Sequence, residues 1–212
     1  LRDATRAALW RESKSPRDAQ ARPRARVEMP VKAVVFDFDS TLSTPTFLTR
    51  ENQWAVADKK AIFASMNETE IIANFGGSER ISALDKLLSS LERAGTVLFI
   101  VSIGYRAAFM PHLRSVGLLK FFSEERIFGQ DSPQLREVEF VKGRLIANIM
   151  SAMSWTHDEV LFIDDSKEHI ERASTVCKTL LVSPESKSKV GGMTATELEA
   201  IRACVLESEA HG

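Results

Sequence analysis

Three short apolar runs that each stop abruptly at small or acidic polar residues constrain this chain more than any other feature. They are residues 31–37 (VKAVVFD), 96–101 (TVLFIV, followed by Ser102) and 160–164 (VLFID, followed by Asp165). Runs of this length, rich in β-branched residues and bounded by polar ones, read as strands buried on both faces, as in a parallel sheet. Weaker strand patterns cover 126–129 and 178–182.

Between the runs lie helical patterns. Residues 78–93 carry Ile81, Leu84, Leu87, Leu88 and Leu91 at three- and four-residue spacing, then meet Gly95, a helix stop. Further helices are expected at 105–116, 134–150, 167–174 and 194–206, with Pro111 kinking or shortening the first of these. Strands alternating with helices predict an α/β fold of three layers, Rossmann-like, with a central parallel sheet flanked by helices.

The stretch 43–77 breaks the rhythm. About 35 residues stand where a connection of roughly 2 to 6 is usual, so this is an insertion. Its apolar residues, Trp54, Ile62, Phe63, Met66, Ile71, Ile72 and Phe75, suffice for two short helices without an independent core, as in a small helical cap. The expected organisation is a flexible basic segment over 1–30, a core over 31–212, and a cap at 43–77 within it.

Charge supports this division. Residues 1–30 hold eight Lys/Arg against four Asp/Glu, and the remainder 20 against 25. The head has little to bury and is expected to be flexible. Its arginines also suit a targeting segment or a weak anchor for acidic partners, although four acids count against targeting. A helical interaction module driven by this head would bind acidic partners in a salt-sensitive way, but the basic residues are too scattered to predict nucleic-acid binding. Cys177 and Cys204 form no CxxC unit, which fits a reducing intracellular, cytoplasmic setting. No run approaches the roughly 20 apolar residues of a membrane span, so a soluble protein is expected.

In an open α/β sheet, ligands bind beyond the carboxyl ends of the strands. That places Asp37 and Asp39, Ser102, and Asp164 and Asp165 around one crevice, with Lys142 available from the helix at 134–150. Taken singly, Ser102 is an ordinary strand-end cap, Lys142 a solvated helix residue and Asp164-Asp165 a helix N-terminal pair. Gathered at one end of a sheet, four carboxylates repel one another unless a cation neutralises them, and an all-oxygen site of this kind suits Mg²⁺. His112, His157 and His169 share no spacing and read as surface or helix residues. Tyr105 is equally suited to touching substrate or to packing in the core.

Asp37-Phe38-Asp39-Ser40-Thr41 matches the DxDx(T/V) signature of the haloacid dehalogenase-like superfamily. Ser102, Lys142 and Asp164-Asp165 follow in the order of its other three motifs, and the resemblance covers roughly 31–206. It implies a phosphatase in which Asp37 attacks phosphorus and forms an aspartyl-phosphate. It also implies that Asp39 serves as general acid and base, its backbone carbonyl ligating Mg²⁺. Thr41 and Ser102 would assist phosphate binding, with Thr41 bracing the turn. Lys142 would hold Asp37 ionised and offset charge on the phosphoryl oxygens. Asp164 would bind Mg²⁺ directly, and Asp165 would position the metal or the lysine.

The second aspartate separates this motif from the superfamily's dehalogenases and phosphonatases, which lack it. The DKTGT-like motif of its transport ATPases is absent. A phosphomutase and a non-catalytic phosphate- or protein-binding scaffold remain as alternatives. A short cap implies an open site, suited to a phosphoprotein, or to a phosphorylated small molecule if a second subunit completes the pocket. The segment from 142 to 160 is too short for another cap, so substrate choice falls to 43–77 and the loop after Ser102. Natural substrate and oligomeric state are not legible in the chain.

Overall fold

The computed structural model describes residues 30–45, 66–183 and 192–206. The basic head, apart from Pro30, and the middle of the insertion, with Trp54, Ile62 and Phe63, lie outside the described residues.

The apolar runs form strands β1 (Ala33–Phe36), β2 (Val97–Val101), β3 (Ile127–Phe128), β4 (Val160–Asp164) and β5 (Lys178–Leu181). They make one parallel sheet in the order β3-β2-β1-β4-β5. The earliest strand is thus the central one. Phe36 is in register with Ile100 of β2 and Ile163 of β4, so all three chains leave the sheet at the same level.

Helices cover both faces. They are α1 (Glu68–Asn74), α2 (Ser78–Arg93), α3 (Arg106–Ser115), α4 (Pro133–Glu137), α5 (Lys142–Met153), α6 (Lys167–Ala173) and α7 (Ala195–Leu206). Because side chains alternate across a strand, Val34 and Phe36 face a core built with α2, α3 and α7, while Ala33 and Val35 face one built with α4, α5 and α6. Leu84, Leu87, Leu88 and Leu91 of α2 are fully buried, each stabilising the fold by about 2 kcal/mol on transfer grounds. The helix stops where its glycine predicts: Gly95 adopts φ 77°, with Gly95 N donating to the Glu92 carbonyl and Thr96 N to that of Leu91. The expected three-layer α/β architecture is borne out.

One expectation about helices is corrected. The single helix expected at 134–150 is broken into α4 and α5. Glu139 and Phe140 both take positive φ (57° and 62°), with Glu139 N donating to the Arg136 carbonyl and Phe140 N to that of Leu135. This is the same helix stop as at Gly95, built without glycine and therefore silent in the sequence. Lys142 consequently begins a new helix rather than lying within one. Pro111, expected to kink or shorten its helix, lies inside α3, which runs through it to Ser115.

The insertion has a closed neck. Thr44 donates from both its backbone N and its hydroxyl to the Asn74 carbonyl. An Asn67–Glu70 capping box starts α1. Phe75, just beyond α1, packs edge-on against Phe38, which stacks on Phe109 at 4.9 Å. The chain returning from the insertion is thereby fixed beside the turn that follows β1.

Candidate active site

β1 delivers Asp37 at its carboxyl end, where Asp37 N donates to the Ile163 carbonyl of β4. A tight turn over Phe38–Leu42 follows, with Ser40 at φ 58°, ψ 13°, a left-handed conformation for a buried non-glycine residue. β4 delivers Asp164 at the same level. The break before α5 brings the buried Lys142 between them, its Nζ donating to Asp37 Oδ1 at 2.6 Å and Asp164 Oδ2 at 2.7 Å. Residues 105 and 22 positions away in sequence are thus joined to one ammonium.

Asp39 and Ser102 form a second pair. The Ser102 hydroxyl donates to Asp39 Oδ2 at 3.1 Å and accepts from Gly104 N at 2.9 Å. A Cβ on Gly104 would lie 2.8 Å from Asp39 Oδ2 and 3.2 Å from Ser102 Oγ, so only glycine lets this loop approach the acid. Asp164 is oriented on all sides: its Oδ1 accepts from Ser166 N at 2.7 Å, and His169 Nδ1 lies 3.2 Å from its Oδ2.

Around these groups is a cavity of about 170 Å³ lined by Asp37, Asp39, Ile103, Lys142, Asp164, Asp165, Ser166 and His169. Ligand oxygens of Asp37, Asp164 and Asp165 lie within 4.8 Å of one another, a grouping able to hold a metal ion. Asp37, Asp39, Lys142, Asp164 and Asp165 are therefore brought together. Ser102 joins them through Asp39. Thr41 is set apart: its side chain is fully buried and does not line the cavity, and its carbonyl accepts from Arg80 and Met193.

Sequence reasoning missed Gly104 and His169. Gly104 was legible as a glycine two residues after Ser102. His169 lies five residues after Asp164, more than one helical turn from it, and nothing in that spacing tells a capping turn from a solvated one.

The electrostatics follow from two buried carboxylates sharing one ammonium. Burial pushes Asp37 well above the usual carboxylate range, and Asp164 and Asp39 add to this against the pull of Lys142. Burial acts the same way on Asp164, but Lys142, His169 and the Ser166 amide outweigh it and hold that carboxyl low. Burial alone would favour neutral Lys142; Asp37 and Asp164 overcome this and keep it charged. Asp37 is therefore the carboxyl of the cluster that burial and its acidic neighbours push toward the neutral form. The Asp37, Asp164 and Asp165 grouping offers oxygen ligands only, which fits a hard divalent cation.

A profile of a protein family of unknown function, DUF2608, matches residues 136–182, the stretch from α4 to β5. No curated protein matches the sequence significantly. Solved structures do match the fold. A haloacid dehalogenase-like family hydrolase from Xanthomonas campestris aligns with TM-score 0.50 and 11% identity over 86% of this chain and 99% of its own. A dehalogenase solved as an intermediate complex aligns with TM-score 0.50 and 11% identity over 83% and 97%. A HAD family hydrolase from Deinococcus radiodurans R1 gives 18% identity over 85% and 97%, with TM-score 0.47. The chain thus has the haloacid dehalogenase-like fold, as the four motifs imply, and carries a cluster of aspartates able to bind a metal at the carboxyl end of its sheet. Among the described residues, no helix is long and apolar enough to cross a membrane.

Proposed function

We propose that this protein is a Mg²⁺-dependent phosphatase that hydrolyses a phosphate monoester through an aspartyl-phosphate on Asp37. The observation that carries this reading is the Asp39 carboxyl, held by Ser102 beside the Asp37–Lys142–Asp164 cluster, because phosphoester cleavage needs an acid distinct from the nucleophile.

Asp37 attacks phosphorus, and the bond to the ester oxygen breaks. Asp39 gives its proton to the departing alkoxide and then takes one from the water that hydrolyses the acyl phosphate. Lys142 stays protonated, opposes the burial that favours neutral Asp37 and offsets charge on the phosphoryl oxygens. Ser102, itself held by the Gly104 amide, orients Asp39 and would turn its hydroxyl to a phosphoryl oxygen when substrate enters. Thr41 braces the turn. The carboxylates of Asp37, Asp164 and Asp165, with the Asp39 carbonyl, would hold Mg²⁺, which supplies charge neutralisation at the transferring group. Asp164 is held in place for this by Lys142, His169 and the Ser166 amide.

The insertion at 43–77 acts as a small cap, and the substrate is a phosphorylated small molecule or phosphoprotein. The deciding assay follows an aryl phosphate ester with Mg²⁺, with EDTA, and with Asp37→Asn. Turnover that disappears under both challenges is the expected result. No turnover by the wild type across a broad phosphoester panel would instead favour a non-catalytic scaffold of the same fold.

A further inference from the structure

Arg80, in the first turn of α2, is buried and lies outside the cavity. Its guanidinium donates to four backbone carbonyls: Nε to Met193 at 2.9 Å, Nη1 to Leu42 at 2.7 Å and Phe75 at 2.9 Å, and Nη2 to Thr41 at 2.8 Å. These carbonyls come from three separate stretches: the turn after the nucleophile, the return from the insertion, and the segment entering α7. Only a planar group with five donors can span such a set, and a lysine's three donors radiate from one point. Burial lowers the guanidinium pKa to about 10, so it remains charged at neutral pH.

The segment before α7 completes the clamp. Met193 N donates to the Thr41 carbonyl at 3.0 Å. Gly192 adopts φ 70°, and a Cβ there would overlap Arg80 Nη2 and the Ser43 carbonyl. Glu197 of α7 fixes this segment by accepting from the Thr194 amide and hydroxyl and from Ser183 N. All of this converges on Thr41 and Leu42, immediately after Ser40, whose left-handed backbone persists only if its surroundings hold it. The direction of the Asp39 side chain depends on that backbone.

We propose that Arg80 is a positioning residue: by gripping the Thr41 and Leu42 carbonyls it fixes the turn that aims the Asp39 carboxyl at the leaving oxygen. The role rests on the phosphatase reading given above. It predicts a leaving-group signature, because protonation by Asp39 matters for an alkyl ester and much less for an aryl ester whose phenolate departs unaided.

The test uses Arg80→Lys and, as an independent route that keeps the arginine, Gly192→Ala. For each, kcat and KM are measured on an alkyl and an activated aryl phosphate, and amide exchange is followed across the chain. The expected result is a kcat loss about tenfold larger on the alkyl ester, KM changing by less than about twofold. Ser43 and Thr44 amides should exchange about tenfold faster while those of β4 do not change. Equal losses on both esters, with exchange raised everywhere, would show that Arg80 serves stability alone and overturn the proposal. A wild type without turnover overturns the phosphatase reading instead; exchange confined to 41–44 then still supports the clamp, and uniform exchange sinks it.

Discussion

The stretch from Asp37 to Thr44 meets a buried cation at each end, Lys142 at the start and Arg80 further along, and the two hold it differently. Lys142 faces two carboxylates in a site with more negative than positive charge. Arg80 faces four carbonyls, neutral groups whose geometry does not change. A point charge beside ionisable groups suits chemistry in which charge moves, whereas a rigid fork among carbonyls suits holding a backbone shape. Perturbing the first end should therefore change charge-dependent behaviour, and perturbing the second should change geometry.

The largest effect should come from Asp37→Asn, expected to lower kcat by a factor on the order of 10³ or more while the fold is retained; a variant with more than a few per cent of wild-type turnover would remove Asp37 from the mechanism. Next is Lys142→Met, which leaves Asp37 and Asp164 buried against an apolar side chain. It should cost about 3–5 kcal/mol of unfolding free energy in urea titrations, and an unchanged midpoint would mean that the ammonium holds nothing together. His169→Ala removes a partner of Asp164 but not the lysine, and should lower kcat about tenfold with little change in stability. Wild-type kinetics in that variant would make His169 a bystander.

The smallest effect sharpens the comparison most. A carboxyl whose pKa rises on folding contributes stability below its unfolded value near 3.8 and loses it as pH climbs through the folded value. Without metal, the protein should therefore weaken on this account as the solution goes from acid toward neutral. Asp37→Asn should remove that component and leave the metal-free protein about 1 kcal/mol more stable at neutral pH. Thermal melts in EDTA across that range test this, and a variant less stable than wild type throughout would mean that the Lys142 attraction outweighs burial at Asp37.

Much of the core and site was legible because β-branched runs ending in acids leave little choice of fold. Asp37, Asp39, Asp164 and Asp165 converge because parallel strands in common register end at one level. What the sequence hid was backbone conformation. Glu139 and Phe140 stop a helix in positive φ without a glycine to announce it, and the break is what brings Lys142 to the front of α5. Arg80 was hidden for a related reason: its partners are carbonyls, which every residue possesses, so no side-chain pattern marks them. Thr41 is marked in the motif by its side chain, but its carbonyl contact with Arg80 is not.

The central place of β1 also bears on how the chain is made. Synthesis produces β1 first, then β2 and β3 to cover one edge, while the other edge waits for β4, more than 120 residues after β1 begins. Until β4 arrives, the apolar edge of Ala33–Phe36 is open to pairing with any other extended chain. A nascent or truncated chain ending before Val160 is therefore an aggregation hazard, and the Lys142 contact to Asp164 should be among the last to recover in refolding, because it cannot exist until β4 has closed the second side of β1.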